Sequence, residues 1–231
     1  MTPWVWFLIA GLAAAAGTAL LFADHGAHSA HQRERRRWAA LRGWRFEASD
    51  PALTERWRHG VMASAGLARD RVTGSLFTPL GRRVVHVFDH VRGTQISEVV
   101  VAVQRRVRDN DLVIELWLPE EPSTPDPALT RLGRMGDRIA LVSDADQARA
   151  LVSSEFAFAV NALGADVPLA WLEQDWVLAT APWTATPTRL ERLLRALDEI
   201  AKLLDVAAAE DTAEAAEIAD LAELSSWSAH D

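Results

Sequence analysis

The hydrophobic pattern opens with an uninterrupted apolar run, Trp4 to Ala23, that holds no charged side chain. As a helix it spans roughly 30 Å, the thickness of a bilayer's hydrocarbon core. Trp4 and Trp6 stand at one end, where amphipathic rings favour the headgroup level. Asp24 and His25 close the other end. A cleaved signal peptide has a basic leader and a shorter apolar core. Met1-Thr2-Pro3 carries no basic side chain, and the run is too long. The pattern predicts a transmembrane helix within residues 1–24.

Helical periodicity returns from Ser29 to Leu41, with Gly43 as its stop, inside a basic juxtamembrane linker over 25–48. Asp50-Pro51 has the chemistry of a helix start, with Leu53 and Trp57 as the buried face of a short helix reaching about His59. The pattern then shortens to strands near Arg71–Phe77, Arg82–Val91, Ile96–Val107 and Leu112–Leu118, joined by turn sequences. In the third strand Val99, Val101 and Val103 face one way, and Val100, Ala102, Gln104 and Arg106 the other. Short links between successive strands imply an antiparallel meander with one apolar face that helices must cover. Pro119, Pro122 and Pro125 follow at the polyproline II period, and with Pro127 read as a stiff surface loop.

Further on, Arg138–Val142 reads as a strand, and Asp144 or Asp146 opens a helix that continues past Phe156 toward Gly164. Leu169–Leu172 and Trp176–Thr180 read as a hairpin. Thr188-Arg189-Leu190-Glu191 forms a capping box ahead of Leu193, Leu194, Leu197, Ile200, Leu203 and Leu204. The expected fold is α+β: an N-terminal transmembrane helix, then an antiparallel β-meander sheet packed by helices. The α+β domain is placed at 49–205 and an acidic, solvated tail at 206–231.

Charge gives this architecture a direction. Arg33, Arg35, Arg36, Arg37 and Arg42 follow the apolar run and no basic side chain precedes it. The positive-inside rule places the N-terminus outside and the main domain in the cytoplasm, at the cell membrane. Arg33, Arg35, Arg36 and Arg37 are candidates for contact with anionic lipid headgroups, at about 1 kcal/mol each near the surface. The tail carries acidic side chains and no Lys or Arg, and the whole chain has a formal net charge of −8. That balance argues against nucleic acid as a partner. Cysteine is absent, which excludes disulfides and thiolate chemistry. Within the apolar run Gly11, Ala15 and Ala19 recur four apart, a stripe that admits close approach of another transmembrane helix. An Ala-rich composition accounts for the same stripe equally well.

Candidate chemistry is sparse. His25, His28 and His31 recur every third residue, but they span too much of a helix for one compact metal site, so a polar linker is expected. On a strand His86 and His90 share a face about 13 Å apart, at ~3.3 Å per residue, with Asp89 opposite. On a regular strand that spacing precludes a local His–Asp pair, and a bulge would reopen it. Glu115 is expected on the solvent face beside Val113 and Trp117, or paired with an arginine. A general acid of raised pKa is the sharper alternative. No phosphate loop, dinucleotide fingerprint or nucleophile elbow occurs, so neither a cofactor nor a metal is expected.

The order Gly43-Trp44, Asp50-Pro51-Ala52-Leu53, Trp57, Val72-Thr73-Gly74, Gly81-Arg82 and Phe88-Asp89 resembles uncharacterised actinobacterial single-pass membrane-anchored proteins over about residues 35–205. His90 stands where that pattern has an aromatic. The resemblance implies membrane attachment and a compact domain, and carries no catalytic residue. The reading that follows is a non-catalytic accessory or scaffold component of a membrane complex. A membrane-tethered hydrolase is the alternative that gathers His59, His86, Asp89, His90 and Glu115 into one pocket. A third reading, suggested by the Trp content, is a module for lipid or a small apolar ligand.

Overall fold

The structure, a computed structural model, describes residues 12, 29–79, 81–106, 112–118 and 126–227, with side chains as far as 209. The apolar run and its Gly11–Ala15–Ala19 stripe therefore lie outside the described residues, apart from Leu12. Among the described residues no helix is long and apolar enough to cross a membrane.

A helix over residues 29–41 (α1) ends where Gly43 takes φ +64°, a conformation that costs glycine little. Strand β1 (Arg45–Asp50) follows. A long hairpin and its neighbour come next: β2 (Leu67–Thr78), β3 (Gly81–Arg92) and β4 (Gln95–Gln104). Then come β5 (Ile114–Trp117), β6 (Thr130–Met135) and β7 (Arg138–Val142). Helices α2 (Ala145–Leu151) and α3 (Ser154–Asn161) precede β8 (Leu169–Glu173), β9 (Trp176–Ala181) and α4 (Pro187–Trp227). The strands form one nine-stranded antiparallel sheet in the order β1-β2-β3-β4-β9-β8-β5-β7-β6.

The meander holds for β2, β3 and β4, but β5 does not continue it. The late hairpin β8–β9 inserts between them, β9 along β4 and β8 along β5. Asp50 starts no helix. It accepts from the Ala52 amide and pairs with Arg71, which keeps β1 in the sheet and leaves residues 51–59 in turns and irregular backbone. The helix expected to run to Gly164 breaks at Val152. Asp144 caps α2 and Ser153 caps α3, each accepting backbone amides at the first turn. At 188–191 Glu191 does not close a capping box: α4 begins at Pro187, capped by Thr186, and Glu191 accepts from Trp38 Nε1 and Arg42. Helix α4 runs on through the acidic segment to Trp227.

Both sheet faces are buried. On the first, Val85, Val87, Val99, Val101 and Val103 pack with Trp38 and Ala39 of α1, with α2 and α3, and with the leucine stripe of α4. Arg83 reaches from this face to Asp198 at 2.9 Å and Asp205 at 2.8 Å, which pins α4 to β3. On the second face the cover is a strap, residues 51–66, whose one helical turn is the 3-10 helix Gly60–Ala63. Its Leu53, Trp57 and Met62 pack with Phe88, Trp171 and Trp176. The Trp57 ring stacks on Phe88 at 6.0 Å between centroids. Trp57, Trp171 and Trp176 thus serve a second core.

Two buried carboxylates fasten the strap. Glu173 accepts the amides of Arg58 at 2.7 Å and His59 at 3.1 Å, and Glu115 accepts the Gly60 amide at 2.7 Å. Glu115 also accepts from Trp117 Nε1, so it is neither solvated nor paired with an arginine as the sequence suggested. Gly60 has φ +61°, and a Cβ there would lie 2.8 Å from the Trp171 ring. Gly60→Ala is expected to destabilise the domain by about 1–3 kcal/mol, from strain and overpacking together. Urea unfolding checks this, and an unchanged midpoint would show that the strap yields.

Candidate functional site

Helix α1 positions the candidate site. Residues His31, Arg35, Trp38 and Ala39 follow helical spacing and form the face turned to the sheet. Trp38 and Ala39 are buried, and the Trp44 ring lies edge-on to Trp38 at 5.4 Å. Trp44 also rests on β2 at Gly74, where an added Cβ would come within 2.1 Å of the ring. Toward the start of α1 the contacts become ionic. Arg35 Nη2 donates to Asp89 Oδ1 at 3.1 Å, and His31 Nε2 lies 3.0 Å from Asp89 Oδ2. Arg35 is 3 % exposed and Asp89 fully buried. Burial pulls the Arg35 pKa down, and the Asp89 charge opposes that shift.

Of the four arginines read as lipid contacts, Arg35 is therefore turned into the protein and paired. Arg33, Arg36 and Arg37 are exposed, with the Arg36 guanidinium over the Phe46 ring at 4.9 Å.

Beside the Asp89 seam a recess of about 380 Å³ opens between α1, β2 and the β3–β4 turn. Gln32, Ser49, Arg69, Asp70 and Thr94 supply its polar groups, with Asp89 lining it as well. Asp70 sits at a β-bulge, where the β2–β3 register shifts between Arg69 and Val72. Its φ is +48°, a left-handed conformation that a non-glycine residue rarely adopts. Gln32 Nε2 donates to Asp70 Oδ1 at 2.8 Å. Burial raises the Asp70 pKa, the Gln32 hydrogen bond lowers it, and the Asp89 charge raises it, with a net rise.

The sign of the resulting pH effect is fixed. A carboxyl whose folded pKa exceeds its unfolded value binds more protons folded than unfolded. Asp70 then costs stability at neutral pH and recovers it as pH falls through its folded pKa. Asp70→Asn keeps the acceptor for Gln32 and removes the charge. It is expected to raise Tm at pH 7 by a few degrees and to shrink that gain on acidification. A thermal melt series across pH checks both.

The other candidate residues are dispersed. His86 faces the second core, stacked on Trp176 at 4.9 Å. His90 is buried with Nδ1 3.0 Å from Glu98, and Asp89 points to the first face. His59 lies 3.4 Å from Asp126, and Glu115 holds Gly60. Of these five, Asp89 alone lines the recess beside α1. His31 is engaged with Asp89, while His25 and His28 lie outside the described residues. Among the described residues no group of three or more His, Cys, Asp or Glu is placed to hold a metal.

A family model described as "Trehalose monomycolate transport factor TtfA" matches residues 1–227. The chain belongs to the TtfA family. It is 29 % identical over 212 residues to trehalose monomycolate transport factor A of Mycolicibacterium smegmatis (strain ATCC 700084 / mc(2)155), covering 89 % of this chain and 71 % of that protein. The crystal structure of the mycobacterial trehalose monomycolate transport factor A, TtfA, superposes with a TM-score of 0.67 at 26 % identity, covering 76 % of this chain and 95 % of the other. The looser likeness to uncharacterised membrane-anchored proteins resolves into this TtfA family.

In this TtfA-family chain the residues that carried the likeness are structural. Trp44 seats on Gly74, Asp50 ties β1 to Arg71, and Leu53, Trp57 and Phe88 build the second core. Asp89 anchors α1. Gln32, Arg69 and Asp70, which frame the recess, went unread in the sequence. An Asp flanked by arginines inside a strand was the available signal, since strands are depleted in Asp.

Proposed function

We propose that this chain is a non-catalytic accessory factor in trehalose monomycolate transport, held at the cell membrane by Trp4–Ala23 with its α+β domain on the cytoplasmic side. The supporting observation is the α1 seam. Arg35, His31 and Asp89 make the first helix after the apolar run part of the domain's own core. With α1 fastened to its sheet, the domain presents a fixed face to a membrane complex. Arg33, Arg36 and Arg37 stay exposed for anionic headgroups, and Gly11, Ala15 and Ala19 offer a neighbouring transmembrane helix a close approach. The dispersal of His59, His86, Asp89, His90 and Glu115 speaks against the hydrolase reading.

The test is depletion of the chain in its own cell, with trehalose monomycolate followed inside and outside. Wild type is expected to restore transport. A variant carrying a flexible Gly-Ser insertion between Ala23 and Ser29 is expected to reach the membrane, fold and fail. Unchanged glycolipid distribution on depletion would refute the accessory role, and full rescue by the insertion variant would show that the spacing between domain and apolar run does not matter.

A further inference from the structure

We propose that the recess beside α1 is a binding site for the sugar head of a glycolipid, taken up at the membrane face of the domain. The inference rests on the transport reading above and goes beyond it, because a transport factor need not touch its cargo.

The recess volume falls in the range of small-ligand sites. Asp70 is only 9 % exposed, and its side-chain hydrogen bond comes from a neutral amide through Oδ1 alone. Among the described residues no hydrogen bond reaches Oδ2, so a half-used carboxylate lines an open recess. Such an arrangement costs stability, and the left-handed backbone at Asp70 adds to the cost. Arg35, whose Nη2 is on Asp89, keeps its Nη1 buried without a partner.

The charge pattern narrows the ligand. Asp70 and Asp89 face Arg35, Arg69 and His31, so the site is close to balanced. A balanced site selects neither an anion nor a cation by net charge, and no set of three metal-ligating side chains occurs among the described residues. What remains is a neutral ligand that donates and accepts many hydrogen bonds. Adjacent hydroxyls donate to the Asp70 carboxylate and accept from Arg69 and Gln32, while Ile96 and Val91 provide apolar contact for ring carbons. Ser29, on the recess rim, follows the apolar run by only a few residues. A lipid headgroup at the bilayer surface is therefore within reach, whereas a deep pocket for an acyl chain is not needed.

The experiment uses the full chain in lipid nanodiscs. Isothermal titration with trehalose and capture of nanodiscs containing trehalose monomycolate are run side by side, with sucrose and sugar-free nanodiscs as controls. Binding of both trehalose probes is expected. Asp70→Asn, checked for folding by its thermal melt, is expected to weaken binding at least tenfold. Gln32→Ala is expected to do the same, and Lys202→Ala to leave it unchanged. Binding of the glycolipid alone assigns the site to the membrane-bound head, and binding of trehalose alone assigns it to the free sugar and overturns the glycolipid proposal. No binding of either probe, or binding that neither variant weakens, also overturns it. Loss of transport on depletion with no sugar binding would leave the accessory role standing and remove only the site.

Discussion

Asp89→Ala is expected to lower the unfolding free energy by about 3–5 kcal/mol, the cost of stranding a buried charge. The Asp89 carboxylate is fully buried and holds both Arg35 and His31 against the sheet. Its removal leaves Arg35, already short of one partner at Nη1, without its hydrogen-bonded counter-charge and with only the more distant Asp70 on the sheet. Burial then favours expelling the guanidinium, and α1 loses its ionic fastening while Trp38 remains as the apolar one. Two measurements separate these effects. Urea unfolding gives the global loss, and amide exchange reads α1 by itself. Exchange in 29–41 is expected to rise above the level set by global unfolding. Faster exchange spread evenly over the sheet would show that α1 is not an independent unit. Arg35→Met is expected to cost less than Asp89→Ala if His31 can still serve Asp89, because an apolar side chain of similar length fills the same space.

The second large effect is acid sensitivity at His86. Its ring is stacked on Trp176 and set edge-on to Trp57, with Nδ1 3.2 Å from Thr73 Oγ1. Burial, with Arg71 and Arg56 adding positive charge nearby, lowers its pKa to about 3. The folded value lies below the unfolded one, so the unfolded chain binds the extra proton. Stability from this residue is whole above the unfolded pKa near 6.5 and is lost as pH falls toward about 3. The slope approaches about 1.4 kcal/mol per pH unit, for an accumulated loss of about 4–5 kcal/mol. His86→Phe keeps an aromatic ring in the stack and cannot be protonated. Wild type and variant compared by urea unfolding from pH 8 to 4 are expected to diverge steadily below pH 6.5. Parallel curves would show that the imidazole reaches water. The first face responds differently, since Asp70 gains stability on acidification where His86 loses it, so acid is expected to open the strap face first.

What could be read from the sequence divides along physical lines. Helix α1 and the stripe of α4 were legible because periodicity and stops are local: Gly43 ends one, and Leu190, Leu193, Leu194, Leu197, Ile200 and Leu204 form the buried side of the other. Strands β2, β3 and β4 were legible for the same reason, down to which valines share a face. The insertion of β8–β9 between β4 and β5 was not, because pairing across some 75 residues leaves no local trace. Strands β1 and β6 escaped because edge strands are short and polar, as in Arg45-Phe46-Glu47 and Thr130-Arg131-Leu132. Arg35 was misread with its neighbours, since a basic run does not announce which member turns inward. Its spacing to Trp38 and Ala39 was the usable cue. The recess depends on a bulge and a left-handed Asp70, two departures from pattern that periodicity cannot express.

The clamp on the strap bears on which changes the chain can tolerate. Glu173 and Glu115 grip the backbone amides of Arg58, His59 and Gly60, not their side chains. A main-chain amide survives nearly every substitution, so positions 58 and 59 are free to drift in identity while the strap stays seated. The two glutamates have no such freedom, because shortening either withdraws a buried acceptor from part-buried amides. A saturation scan would thus show permissive positions 58 and 59 touching the intolerant Glu173 across their two hydrogen bonds.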